Sequence, residues 1–333
     1  MVRTVPFCAL AIAMAVISAA AGQQPNRAEM LAHLKNVTTW SELAKRDVPP
    51  VEFEIHFKAA APDGGWLEGT YRKLWYGPKR YREEIQSSVY SSTLVSTEAG
   101  VWEKSSPDEE PFGVDQAARV LLGYGSQINQ GDKLGNPKDL NLNGKRLVCS
   151  TVKRPGRISV DFCLDADSLI PASIAWKSGG QVVDHTNFTS WSGWLAPKDV
   201  QSRLNGKPEV IAELTKLGPP SEGLEAALAP LSGPDVLQHP ECEDSNYVGP
   251  IGISRRTIPF SPFLSQIGEG GIMRVWAVVG REGRLHNITV VQSVGSNLDK
   301  AAVLAMKEWR FKPATCGGVP VSVPVDYDFH FGQ

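Results

Sequence analysis

From Val51 to Lys58 the chain reads VEFEIHFK, setting Val51, Phe53, Ile55 and Phe57 against Glu52, Glu54, His56 and Lys58. Successive strand side chains point to opposite faces, so this run is a half-buried antiparallel strand. The same period recurs downstream. WLEGTYRKLWYGPKRYREEIQSS, broken at Gly77-Pro78, supplies two strands. Further strands are expected over Tyr90–Glu98, Gly100–Lys104, Lys145–Val152, Ile158–Leu164, Pro171–Lys177 and Val182–Trp191. Val114–Leu122 reads as a helix, so the stretch from Val51 to about Trp194 is one antiparallel meander with a helical insertion. Ahead of it, Met30, Leu31, Leu34, Val37 and Trp40 fall at helical spacing within Arg27–Arg46.

A chain of 333 residues suggests two domains, and 42% hydrophobic with 21% charged residues suits globular cores. A net charge of -2 lacks the basic surplus that nucleic-acid binding needs, so no nucleic-acid partner is expected. Arg3, the apolar run VPFCALAIAMAVISAA and the small residues Ala19 to Gly22 have the order of a cleavable secretory signal over residues 1–22. Uncleaved, the same run would serve as an inner-membrane anchor; cleaved, it sends the protein to the periplasm.

Export suits the cysteines. Beyond Cys8 there are four: Cys149, Cys163, Cys242 and Cys316. A hairpin centred on Gly156 sets Cys149 opposite Cys163, which leaves Cys242 for Cys316. The alternatives are free buried thiols or a metal set, and no C-x-x-C spacing or paired histidine points to metal.

Residues 23–208 are read as the first domain and 209–240 as a connector, in which EVIAELTKL and EGLEAALAPL look helical among Gly218-Pro219-Pro220, Gly233-Pro234 and Pro240. Residues 241–333 form the second domain, in the order strand, strand, helix, strand. IMRVWAVVG and LHNITVVQS flank the turn Arg281-Glu282-Gly283, and a helix capped by Ser296 or Asn297 starts near Leu298. The last strand carries Val319, Val321, Val323, Val325, Tyr327, Phe329 and Phe331 on one face. Pro320 and Pro324 lie on the other, and prolines confine a strand to a sheet edge. An edge strand can take up an extended peptide, or the prolines can simply protect it from aggregation.

Nucleophile elbows, Walker loops, dinucleotide fingerprints and paired metal histidines are all missing from the sequence. No catalysis, cofactor or metal is expected. Asp108-Glu109-Glu110 reads as a solvated charge run.

The stretch from Gly270 to Phe329, with Gly283, Val290-Val291, Ser293, Gly295, Leu298-Asp299, Ala301-Ala302, Trp309-Arg310-Phe311-Lys312-Pro313-Ala314 and Pro320-Val321, resembles the C-terminal domain of TonB, the energy transducer of Gram-negative bacteria. The resemblance implies a small sheet with helices on one face that captures a peptide segment of outer-membrane receptors by strand addition. The edge residues would be Val319, Val321, Val323, Val325, Tyr327 and Phe329. A TonB transducer keeps its N-terminal anchor and a long proline-rich spacer; here the leader reads as cleavable and the connector is short. The first domain, through its N-terminal helix, Gly69–Ile85 and the strand meander, is similar to the LolA lipoprotein-carrier fold. That likeness implies an antiparallel half-barrel around an apolar cavity lined by Phe53, Ile55, Phe57, Leu74, Trp75 and Tyr81. The chain is therefore expected to be α+β: a half-barrel with helices, then a small ββαβ domain. Its expected role is peptide binding beside a carrier-like domain for lipid or acyl chains. The alternative is a lipid or lipoprotein carrier that its C-terminal domain only docks.

Overall fold

The computed structural model describes residues 29, 49–61, 64–121, 132–142, 144–153, 159–176, 180–192, 194–243, 245–258 and 271–331. The leader expected over residues 1–22 lies outside them, as does the helix expected over Arg27–Arg46 apart from Glu29. Among the described residues no helix is long and apolar enough to cross a membrane.

Most of the chain forms one antiparallel sheet. Its first half is a meander of β1 (Val51–Ala60), β2 (Trp66–Gly77), β3 (Arg80–Ser87), β4 (Ser91–Thr97) and β5 (Gly100–Ser106). A helix, Phe112–Leu121, follows. The second half comprises β6 (Lys133–Leu134), β7 (Lys138–Leu142), β8 (Lys145–Lys153), β9 (Val160–Asp165), β10 (Pro171–Trp176), β11 (Gln181–Trp191), β12 (Trp194–Leu204) and β13 (Lys207–Gly218). Antiparallel pairing of β1 with β13 joins the halves at the centre, and β14 (Leu237–His239) returns to pair with β5 at one edge.

The alternation read in β1 decides the layers. Val51, Phe53, Ile55, Phe57 and Ala59 are buried in one cluster with Tyr71, Trp75, Val210, Ala212 and Leu214. Ala117 and Val120 of the helix Phe112–Leu121 pack into the same cluster, so the helix covers the middle of the sheet.

On the opposite face Glu52 is buried rather than exposed. Its carboxylate accepts hydrogen bonds from Arg72 (Nη2, 2.7 Å) and from the Ser221 amide and hydroxyl (3.2 Å each), and pairs with Lys216 at 2.8 Å. Burial alone would raise its pKa, but the bonds from Lys216, Arg72 and Ser221 win and lower it to about 2. A depressed carboxyl contributes stability that is full above its unfolded value of 4.5 and is lost as pH falls towards 2. Glu52→Gln is expected to lose on the order of 3 kcal/mol at pH 7. Its gap from the parent should close between pH 4.5 and 2, as read by urea unfolding at each pH.

Two expectations need correction here. EVIAELTKL was expected to be helical and part of a connector from 209; it is the central strand β13. Val210 and Leu214 satisfy a helical period and, with Ala212, a strand period equally, and the partner β1 decides between them. The first sheet therefore extends to Gly218 and takes in β14 from the expected connector. Only Leu224–Leu228 of the connector is helical, as a short 3₁₀ turn.

The C-terminal part begins with β15 (Tyr247–Val248) and β16 (Ile251–Ser254). Next come β17 (Gly271–Val279), β18 (Leu285–Gln292) and a second helix, Ser296–Lys307. Last are β19 (Arg310–Lys312), β20 (Ala314–Cys316), β21 (Val319–Val321) and β22 (Val323–Phe331). The principal sheet runs β18-β17-β22, and the second helix buries Leu298, Ala302, Ala305 and Met306 against Met273, Val275, Ala277 and Val279. Gly295, rather than the expected Ser296 or Asn297, holds the cap position. Asp299 serves the helix start instead, accepting from the Ser293 hydroxyl at 2.6 Å and the Val294 amide at 3.3 Å.

Candidate functional site

The Trp309-Arg310-Phe311 run answers to packing. Trp309 and Phe311 are buried in the core under the second helix, and the Trp309 indole donates to the Arg256 carbonyl at 2.8 Å. Tyr327 and Phe329 of β22 meet the Trp309 ring edge-on at 5.4 and 5.9 Å. Arg310–Lys312 is itself a short strand paired with β16. The chain thus leaves the helix locked down before it turns through Gly317-Gly318 towards β22.

β22 lies at a sheet edge. Among the described residues it pairs on one side only, with β17, from Val323 opposite Val279 to Phe331 opposite Gly271. Pro324 stands opposite Val278. Antiparallel pairs alternate between those whose backbone groups bond each other and those whose groups face away, and proline fits only the second kind. Asp326, Asp328 and His330 share that parity, so their backbone groups face away from β17. Val325, Tyr327 and Phe329 have the opposite parity, and their backbone groups pair inward.

The edge strand expected from Val319 onward is not continuous. Val319 and Val321 belong to β21, which pairs with β20 in a separate sheet, and Val321 is buried beside Cys316. The break falls at Ser322, between Pro320 and Pro324. Val323, Val325, Tyr327 and Phe329 remain on the principal edge, half-buried, with their side chains towards the second helix.

The two faces beside this edge differ chemically. On the helix side the Arg255 guanidinium lies over the rings of Trp309, Phe311 and Tyr327 at 5.5, 5.5 and 5.7 Å. Burial raises the Tyr327 phenol pKa, and Arg255 opposes that. On the other side Arg119 bridges Asp115 (2.7 Å) of the first domain and Asp326 (3.1 Å), and Arg274 pairs with Asp328 at 2.9 Å. An extended chain added here would meet apolar rings and a cation on one side and a row of ion pairs on the other. Neither the Arg255 platform nor the Arg119–Asp326 link is legible in the sequence, since both join residues far apart in the chain. Only the Asp115–Arg119 spacing of four was readable.

The other candidate residues lie in the first sheet. Phe53, Ile55, Phe57 and Trp75 are buried on one face, and Tyr81 stacks on Trp75 at 5.7 Å. Leu74 does not join them. It pairs with Glu52, so it faces the opposite side, beside Arg72, Arg82, Glu84 and Leu224. The period of two puts neighbours Leu74 and Trp75 on opposite faces, so both cannot line one cavity. The Lys73 ammonium sits over Trp75 and Tyr81, at 5.3 and 4.6 Å, and pairs with Glu83.

The cysteines stand as Cys149–Cys163, directly opposite on β8 and β9, and Cys242–Cys316. The Asp108-Glu109-Glu110 run, expected to be solvated, is engaged by the C-terminal domain instead. Asp108 pairs with Arg281, and the Asn287 amide donates to the carbonyls of Glu109 (3.1 Å) and Glu110 (3.0 Å). Burial, then Asp115 and Glu103, raise the Glu110 carboxyl pKa to about 8. Nearby, Phe112 meets the fully buried Trp276 edge-on at 5.4 Å.

Residues 263–332 match the family model for the Gram-negative bacterial TonB protein C-terminal. Among solved structures, the solution structure of the Pseudomonas aeruginosa TonB C-terminal domain is 26% identical, covering 27% of this chain and 89% of that one, with a TM-score of 0.23. A LolA superfamily protein from Nitrosomonas europaea is 12% identical over 58% of this chain and 94% of its own, with a TM-score of 0.38. A DUF1329 family protein from Desulfovibrio piger is 8% identical over 60% and 97%, with a TM-score of 0.40. No curated protein matches the chain.

Proposed function

We propose that this is an exported, periplasmic protein that captures an extended peptide by adding it as a strand to the outer side of β22. The observation that carries the reading is the one-sided pairing of β22, whose outward backbone positions at Asp326, Asp328 and His330 lie between a ring surface and an ion-pair row. Main-chain hydrogen bonds supply the affinity in such recognition, and alternate side-chain contacts supply the selectivity. The match of residues 263–332 to the TonB C-terminal family supports a segment of an outer-membrane receptor as the peptide. The first domain, with Phe53, Ile55, Phe57, Trp75 and Tyr81 on one apolar face, is its carrier-like partner.

Proline at an outward position tests the edge. His330 is exposed and its backbone faces away from β17, so His330→Pro should keep the fold while removing one outward donor. Binding of a receptor-derived peptide, measured by titration calorimetry, should weaken at least about fivefold, the equivalent of one hydrogen bond. Val325→Pro should instead disrupt the ladder to β17, because that amide pairs inward. A folded His330→Pro protein with undiminished binding contradicts the proposal. Lipid co-purifying with a protein that binds no peptide would favour the carrier reading.

A further inference from the structure

The charge run Asp108-Glu109-Glu110 and the β17–β18 hairpin meet where the two domains touch, and their side chains form more than an ion pair. The His286 Nε2 atom is hydrogen-bonded to the Glu282 carboxylate and also lies 3.6 Å from Glu109 Oε1. An imidazole nitrogen carries one proton or one lone pair, so it cannot serve two carboxylates fully. A cation in place of that proton can. The three ligand atoms, one from each residue, all lie within 4.8 Å of one another. Ligands on a tetrahedral zinc ion stand about 3.4 Å apart, given metal–ligand bonds of about 2.0–2.1 Å, so little closure is needed.

The surroundings hold this geometry. The Asn287 backbone adopts a left-handed φ of 50°, and its side-chain amide donates to the Glu109 and Glu110 carbonyls, clamping them to the hairpin. Arg281 pairs with Asp108 one residue before Glu109. Gly280 leaves the hairpin open where the ligands converge: a Cβ there would lie 2.5 Å from Glu282 Oε2 and 3.0 Å from the His286 ring. These contacts come from both domains; of the three ligands, Glu109 belongs to the first and Glu282 and His286 to the second.

We propose that Glu109, Glu282 and His286 form a divalent transition-metal site, zinc by its donor set, that staples the two domains together. One imidazole and two carboxylates suit Zn²⁺, with the fourth position left to water. Sequence spacing conceals such a site, because Glu109 stands 173 residues before Glu282.

Calorimetric titration of the untagged full chain with ZnCl₂, both disulfides intact, provides the test. One equivalent should bind, and Glu109→Gln and His286→Ala should each weaken binding at least about tenfold. His56→Ala, which removes an exposed histidine likewise beside a carboxylate, Glu54 at 3.1 Å, should change nothing. Zinc should also slow amide exchange in residues 107–111 of the wild type but not of Glu109→Gln. Absence of stoichiometric binding overturns the proposal, as does binding that both ligand variants retain in folded form. Binding without the exchange effect overturns the staple.

Discussion

Gly283→Ala is expected to destabilise the C-terminal domain strongly. Gly283 sits in the β17–β18 turn at φ +78°, and its carbonyl accepts a hydrogen bond from the Phe311 amide at 2.9 Å. A Cβ there would lie 1.9 Å from the Phe311 carbonyl oxygen, and a backbone atom cannot swing aside as a side chain does. The left-handed conformation alone costs about 1–2 kcal/mol, and relieving the clash means separating two strands of backbone. A total loss of at least about 3 kcal/mol in urea unfolding is expected. Gly318 provides the contrast: it has φ +86° with nothing within 4 Å of its added Cβ, so Gly318→Ala should lose only about 1–2 kcal/mol. Equal losses at the two sites would show that the clash is absent.

Trp276→Ala should lose about 3–5 kcal/mol, because a fully buried indole leaves a cavity that its neighbours cannot close. The site of the damage matters as well. Trp276 lies on the face of β17 turned away from the second helix and meets Phe112, at the start of the helix that caps the first sheet. Its loss should loosen the junction, so calorimetric melting, expected as one transition in the parent, should split into two. Trp66 is 46% exposed, and its replacement by alanine should cost under about 1 kcal/mol. A Trp276→Ala protein that melts as the parent does would show that this junction contributes little.

The sequence made the C-terminal domain legible because several independent signals agree there. Gly283 marks the hairpin, helical spacing runs through Ala305 and Met306, and the valine-aromatic alternation marks the last strand. It hid β13, whose apolar residues fit two periods at once, and β12, whose Pro197 argues against a strand. It also hid the split between β21 and β22, since the alternation continues unbroken across Ser322 while the pairing partners change. The cysteine pairing was readable through hairpin register, a local property. The domain junction was not, because Asp108, Glu109 and Glu110 look like any solvated acidic loop until Arg281 and Asn287 come up against them. Side-chain parity was available in principle: counting by two from Trp75 would have put Leu74 on the other face.

The edge of β22 is tested most directly by amide resonances of the full chain, with and without a receptor-derived peptide. Strand addition predicts that the outward amides of Asp326, Asp328 and His330 shift and become protected from hydrogen exchange when peptide is added. The inward amides of Val325, Tyr327 and Phe329 should keep the protection they have from β17. Peptide-induced changes that spare all three outward amides, or that fall instead on Phe53, Ile55 and Phe57, would contradict it.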